Sequence, residues 1–205
     1  MNLGDNFIRE GLAYRISPFT TNAPGAKSFD TERTYDNVMN RYKWGGLDHK
    51  GLYLDETVMR MCYTHRRLFG QLALNLIAEH KDDKALKVLQ KAEKEIPDYN
   101  VPYNYISGGL DFARAYALLG QKKRANEILN KVWNHSAQYA QWYLGLAQSR
   151  FTQSQRDCMM HLSIMNQASE LYGLSDKRQA DEKAKTLNTL YNMYVGKGGN
   201  NYYEQ

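Results

Sequence analysis

"FGQLALNLIAEHKDDKALKVLQKAEKEIP", residues Phe69 to Pro97, carries two apolar stripes separated by a polar break, and its reading decides the fold. Leu72, Ala73, Leu76 and Ile77 step by three and four, as one face of a helix must. Traced backward, the stripe takes in Phe69, His65, Cys62, Met61 and Val58 and reaches Asp55. The carboxylate there can accept from the free amides of a first turn. One long amphipathic helix is therefore expected from Asp55 to about Glu79. After His80-Lys81-Asp82-Asp83, a second stripe runs through Ala85, Leu86, Leu89, Ala92 and Ile96. It stops at Pro97, which lacks an amide hydrogen and restricts the residue before it. The expected product is a helical hairpin.

The pattern returns downstream in "LDFARAYALLGQKKRANEILNKVW", Leu110 to Trp133. Leu72 matches Phe112, Ala73 matches Ala113, Leu76 matches Tyr116, Ala85 matches Ala125, Leu89 matches Leu129, and Ala92 matches Val132, all at an interval of 40. Gly120 can adopt the left-handed conformation that closes a helix. Small residues recur because paired helices approach closely there, and a larger side chain would push them apart.

These positions resemble the tetratricopeptide pattern, which in this chain reads Phe69, Leu72, Ala73, Leu76, Ala85, Leu89, Ala92 and Pro97. The second copy departs from it at Gly109, where a large residue is usual, and at Ala137, where proline is usual. The resemblance implies an all-α fold of helical hairpins stacked in a right-handed array, with a partly extended N-terminal segment. Such arrays offer an inner wall to a peptide or protein partner. On this register the wall includes Arg67, Leu74 and Ile77 from one repeat and Leu110 and Arg114 from the other, the two arginines favouring an acidic ligand.

The usual repeat is about 34 residues, and the surplus falls in "IPDYNVPYNYISGG", Ile96 to Gly109. Two readings fit this segment. Tyr99, Tyr103 and Tyr105 either lay their rings against neighbouring helix ends as part of a lengthened connector, or form an aromatic platform for a ligand.

Helical patterning continues. Tyr139, Trp142, Tyr143, Leu146 and Ala147 form one stripe, and Cys158, His161, Leu162, Met165, Ala168 and Tyr172 another. The spacing of Ser154 and Asp157 predicts a helix start and Gly173 its end. A last helix is expected from Ser175 or Asp176 to Gly196. The expected division is an N-terminal extended or loop segment with one short helix over 1–54, packed on a helical domain over 55–196, and a flexible tail over 197–205. Within the first part, "GLAYRISPF" reads as a strand, "TTNAPGAKS" as a loop and "ERTYDNVMNRYKW" as the helix.

The chain has 205 residues, with 42% hydrophobic, a net charge of +5 and 16 tyrosines against six phenylalanines. No apolar run approaches the roughly 18 residues needed to cross a bilayer. The opening residues carry neither a basic region nor an apolar core like those of a signal peptide, so the sequence reads as cytoplasmic or as a piece of something longer. The basic balance permits an acidic partner. However, Lys84, Lys87, Lys91 and Lys94 alternate with Asp82, Asp83, Glu93 and Glu95, the pattern of a solvated helix face. No nucleic-acid motif or groove-entering basic helix is present, so nucleic acid is not expected as a partner. Two cysteines allow at most one disulfide.

Cys62 and His65, like Cys158 and His161, stand three apart and share a helix face. Together they supply a Cys2His2 set for zinc. The same residues lie on apolar stripes, where buried cysteine behaves as a small hydrophobe, so packing is the expected role and no metal or cofactor is expected. Asp55, Glu56, Asp157 and Glu170 fall at expected helix starts or on polar faces, and no catalytic residues are expected.

Across nearly its full length, through "GLAYRISPF", "YDNVMNRYKWGGLD", "YLDETVMRMCYTHRRLF", "IPDYNVPYNY", "QWYLGL" and "RFTQSQRDCMMH", the chain resembles the C-terminal soluble region of a bacterial family of multi-pass membrane proteins of unknown function. That family is similar to protein O-mannosyltransferases. The resemblance implies an accessory scaffold or protein-interaction domain on the extracytoplasmic, periplasmic face of the inner membrane, close to the bilayer without entering it. Its partner would be a peptide or protein, the membrane part of a full-length parent included. The alternative is a domain that contributes acceptor-substrate contacts or Cys/His metal chemistry to a glycosyltransferase. No catalytic residue of the family can be placed on this chain.

Overall fold

The computed structural model describes residues 4–21 and 28–200. Its elements are a hairpin of β1 (Phe7–Arg9) and β2 (Tyr14–Ile16), and the helices α1 (Thr31–Asp36), α2 (Glu56–Ala78), α3 (Asp82–Glu95), α4 (Gly109–Leu118), α5 (Lys122–Gly145), α6 (Gln148–Ser175) and α7 (Lys177–Gly196). The fold is all-α in class. Among the described residues no helix is long and apolar enough to cross a membrane. The chain divides into two compact units, residues 1–102 and 103–205.

In the first unit Asp55 caps α2 as its sequence position predicts, accepting from the Val58 amide at 2.8 Å. Leu68, Phe69, Leu72, Ala73 and Leu76 of α2 are fully buried, as are Ala85, Val88 and Leu89 of α3. Val58 and Met61, the outer end of the same stripe, stay exposed. The turn between the helices is a Schellman arrangement, in which the His80 amide donates to Ile77 O and the Lys81 amide to Leu76 O. His80 occupies the left-handed region with φ 57°, the only non-glycine among the described residues to do so.

Beyond α3 the connector is fixed from beneath. Arg66 of α2 has no exposed surface, and its guanidinium donates to Ile96 O at 2.8 Å, Val101 O at 2.5 Å and Pro102 O at 3.3 Å. A buried guanidinium is costly unless it is hydrogen-bonded, and here three carbonyls of the segment that follows α3 accept from its Nη groups. From above, Asn100 donates to Leu47 O and His49 O, and the Tyr99 hydroxyl to Asp48 O. The segment "IPDYNVP" is therefore a pinned joint, and the tyrosine in it serves as an anchor.

The "ERTYDNVMNRYKW" helix forms as α1, followed by one π-helical turn over Asn37–Arg41. Trp44 then packs against Phe69 and His65, with ring centroids 4.7 and 5.6 Å apart. Residues 22–27 of the expected "TTNAPGAKS" loop lie outside the described residues.

In the second unit the buried set recurs at the same interval: Phe112, Ala113 and Tyr116 on α4, and Ala125, Leu129 and Val132 on α5. So do the turn bonds, with the Gly120 amide donating to Ala117 O and the Gln121 amide to Tyr116 O. Gly120 has φ 74°, the place where the first unit has His80. Gly109 replaces the large residue of the first copy because a Cβ there would stand 2.6 Å from Val132 Cγ2.

Two expectations need correction. Ser154 does not open a helix; α6 begins six residues earlier at Gln148 and runs through Gly173 to Ser175. The helix breaks instead at Leu146 and Ala147, both extended. The aromatic stripe from Tyr139 is not a separate element either, because α5 continues to Gly145 and leaves Tyr139 and Trp142 exposed. Asp176 caps α7, accepting from the Gln179 amide at 3.1 Å. Of the expected tail, 201–205 lie outside the described residues. Before that point Lys197 Nζ donates to Leu146 O, Gln155 to Gly198 O, and the Tyr194 hydroxyl to Asn200 O.

Candidate binding site

In the first unit the N-terminal hairpin and one face of α2 build a concavity. Glu10 donates its amide to Ala13 O, closing the hairpin over Gly11, which has φ 96°. A Cβ at Gly11 would also collide with the Tyr42 hydroxyl, so both backbone and space demand glycine. The register pairs Phe7 with Ile16 and Arg9 with Tyr14, which puts these four side chains on one face of the sheet. That face meets α2. Arg9 Nη1 donates to Gln71 Oε1, and Arg9 Nε to Gly11 O at 3.0 Å.

Between them lies a cavity of about 850 Å³, lined by Phe7, Arg9, Tyr14, Phe29, Gln71, Leu74 and Asn75 together with Asp5, Thr21 and Ser28. Aromatic rings and one leucine supply apolar walls, and a guanidinium and two carboxamides supply hydrogen bonds. This mixture can hold a ligand that presents both apolar and hydrogen-bonding groups. Such a space holds several side chains.

Of the residues expected on an inner wall, Leu74 lines this cavity, and Ile77, one turn on, is half-buried. Arg67 is exposed and donates to Thr64 Oγ1 at 3.3 Å. In the second unit Leu110 is half-buried and Arg114 exposed, one turn apart on α4. The chain's own hairpin therefore covers part of the predicted wall of α2.

The connector tyrosines separate in role. Tyr99 is the exposed anchor already described, with Lys50 Nζ 5.9 Å from its ring centre. Tyr103 is buried against Phe112. Tyr105 stands edge-on to His161, with centroids 5.0 Å apart, in a cluster completed by His135, Tyr139 and Tyr143. Tyr139 stacks flat on His161 at 4.9 Å. Burial in this aromatic nest, reinforced by the neighbouring His135, pushes the His161 imidazole down to about 4, against a small opposing pull from Asp157.

The cysteines of the two Cys/His pairs are free and buried. Desolvation raises the Cys62 thiol above its ordinary value and pushes Cys158 up to about 11. His65 is half-buried against Trp44, and desolvation lowers it. Among the described residues no group of three or more His, Cys, Asp or Glu side chains is placed to hold a metal ion.

Sequence reasoning overlooked Arg9, Tyr14, Gln71 and Asn75. A signal existed for Tyr14, because "YRI" alternates after a glycine that can turn the chain. Gln71 and Asn75 gave none, since polar residues on a helix read as solvent-facing until a partner is placed over them. Comparison with protein-family models, with curated proteins and with solved structures finds no match to this chain.

Proposed function

We propose that this chain is a non-catalytic, tetratricopeptide-like interaction domain that holds an extended polypeptide. The observation that carries the reading is the cavity against α2, where Leu74 of the expected inner wall meets hydrogen-bonding and aromatic side chains of the hairpin. The matching turns and the buried small residues at Ala73 and Ala113, and at Ala85 and Ala125, support the repeat, and the right-handed array of hairpins is what the tetratricopeptide resemblance implies. The sequence resemblance adds a setting: an accessory region on the periplasmic side of the inner membrane, serving a glycosyltransferase-like parent. The partner is then a peptide or protein segment, the parent's own membrane part included.

Fluorescence polarisation of the chain against a panel of labelled extended peptides tests the central reading. Leu74→Arg fills the cavity and is expected to weaken every binding peptide by about tenfold or more at unchanged thermal stability. Equal binding by this variant overturns the assignment. Protease accessibility of the region in intact spheroplasts tests the setting, and protection from an external protease overturns a periplasmic location.

A further inference from the structure

We infer that the edge of β2 away from β1, which carries no further strand among the described residues, receives the ligand as a third strand, with an apolar–acidic–apolar sequence opposite Tyr14-Arg15-Ile16. The inference rests on the peptide-binding reading above and specifies how the peptide is held.

The hydrogen-bond pattern gives the direction. In an antiparallel ladder, residues of a non-hydrogen-bonded pair turn their N–H and C=O groups away from one another. The Ser17 amide donates to Asn6 O and the Glu10 amide to Ala13 O, so the pairs Phe7–Ile16 and Arg9–Tyr14 are of this outward kind. On the β1 side the consequence is visible, since the Arg9 amide donates to Ser28 O and Arg9 O accepts from the Asp30 amide. On the β2 side Tyr14 and Ile16 point their backbone groups the other way, and among the described residues the sheet ends there.

An edge that carries no further strand is a template for one. Of the devices that blunt natural edges, β2 has a short length and the charge of Arg15 but no proline within it, since Pro18 lies just past its end. Tyr14 and Ile16 are each 60% exposed. They lie on the sheet face that meets α2, and Tyr14 lines the cavity. Apolar side chains of an incoming strand fall beside them and can reach into that space.

Arg15 points to the opposite face, where its Nε pairs with Glu10 at 2.6 Å. It decides between occupants. A second copy pairing through β2 about a twofold axis would set Arg15 directly against itself, and like charges opposed across a ladder are destabilising. An acidic residue at that point is favourable, so the occupant is a segment of different sequence with a carboxylate between two apolar positions.

The probes are labelled peptides of about ten residues with Val-Glu-Val, Val-Lys-Val or Val-Pro-Val at their centre, measured against the full chain. The acidic peptide is expected to bind about tenfold tighter than the basic one, and Arg15→Glu is expected to invert that order. Ile16→Pro removes one outward amide without touching the β1 ladder and is expected to cost about tenfold for both. In the unaltered chain, adding the acidic peptide is expected to slow hydrogen exchange at the Tyr14 and Ile16 amides. No such slowing, or no acid preference, overturns strand addition. If Leu74→Arg abolishes binding while Ile16→Pro and the exchange rates are indifferent, the cavity reading stands and the edge does not. If no peptide binds, both readings fall.

Discussion

The helix pair α2–α3 and the pair α4–α5 share their turn, bond for bond, at an interval of 40 residues, and they differ at their far ends. α3 stops at Glu95, before Pro97, and the carbonyl of its capping residue Ile96 accepts from Arg66. α5 has Ala137 where the proline would be and continues to Gly145. At the near end α2 has 23 residues and α4 has ten, and Ile106, the counterpart of Arg66, lies before α4 begins. The shared part is what close packing enforces. The divergent part is set by single residues, one of which ends a helix and one of which anchors a joint.

Transplanting the proline is the most damaging way to test this contrast. Ala137→Pro removes an amide and clashes within a continuous helix, and is expected to cost about 3 kcal/mol or more in urea unfolding. A small loss would show that α5 does not need its continuity. Removing the anchor comes next. Arg66→Met leaves the buried carbonyls of Ile96 and Val101, and that of Pro102, without their donor and is expected to cost about 3 kcal/mol. Faster hydrogen exchange should concentrate at Tyr99 to Val101, and an unchanged exchange pattern would refute the pinned joint.

Acid probes the histidine nest of the second unit. The buried His161 stays neutral in the folded chain down to about pH 4, whereas in the unfolded chain it protonates near pH 6.5. Between those values the unfolded chain binds more protons, so stability is full above pH 6.5 and falls as pH drops towards 4. The expected loss from this group is about 2 to 3 kcal/mol. His135 and His65, also lowered by burial, add to it in the same direction. His161→Leu should flatten the slope of stability against pH, and an unchanged slope would remove the group from the account.

The turns offer the smallest and most direct test, because the expected signs are opposite. Gly120→Ala places a Cβ in the left-handed region and should cost about 1 kcal/mol, while His80→Gly relieves the same strain and should gain up to about 1 kcal/mol. If both substitutions destabilise, the two turns are not equivalent.

Why the sequence revealed the hairpins and not the cavity follows from how each signal is carried. Helix existence depends on stripes such as Leu72, Ala73 and Leu76, which local periodicity exposes, and on caps such as Asp55 and Asp176, which need only their own neighbours. The ends of α5 and α6 were misjudged because the Ser154 spacing is a weak cap signal when the chain on both sides prefers helix. The cavity depends on Arg9 reaching Gln71, 62 residues away. No local pattern encodes a pairing of that span. The same holds for His135 and His161, whose aromatic surroundings come from the connector and two helices.

Arg66 also imposes an order of events. Its acceptors, Ile96, Val101 and Pro102, lie 30 to 36 residues further along the chain. During synthesis α2 emerges carrying a cation on the face that must be buried, and burial without those acceptors is strongly unfavourable. The helix must therefore keep that face hydrated until the ribosome has delivered Pro102, so a nascent chain stalled short of that residue should show Arg66 open to solvent and the first unit unformed.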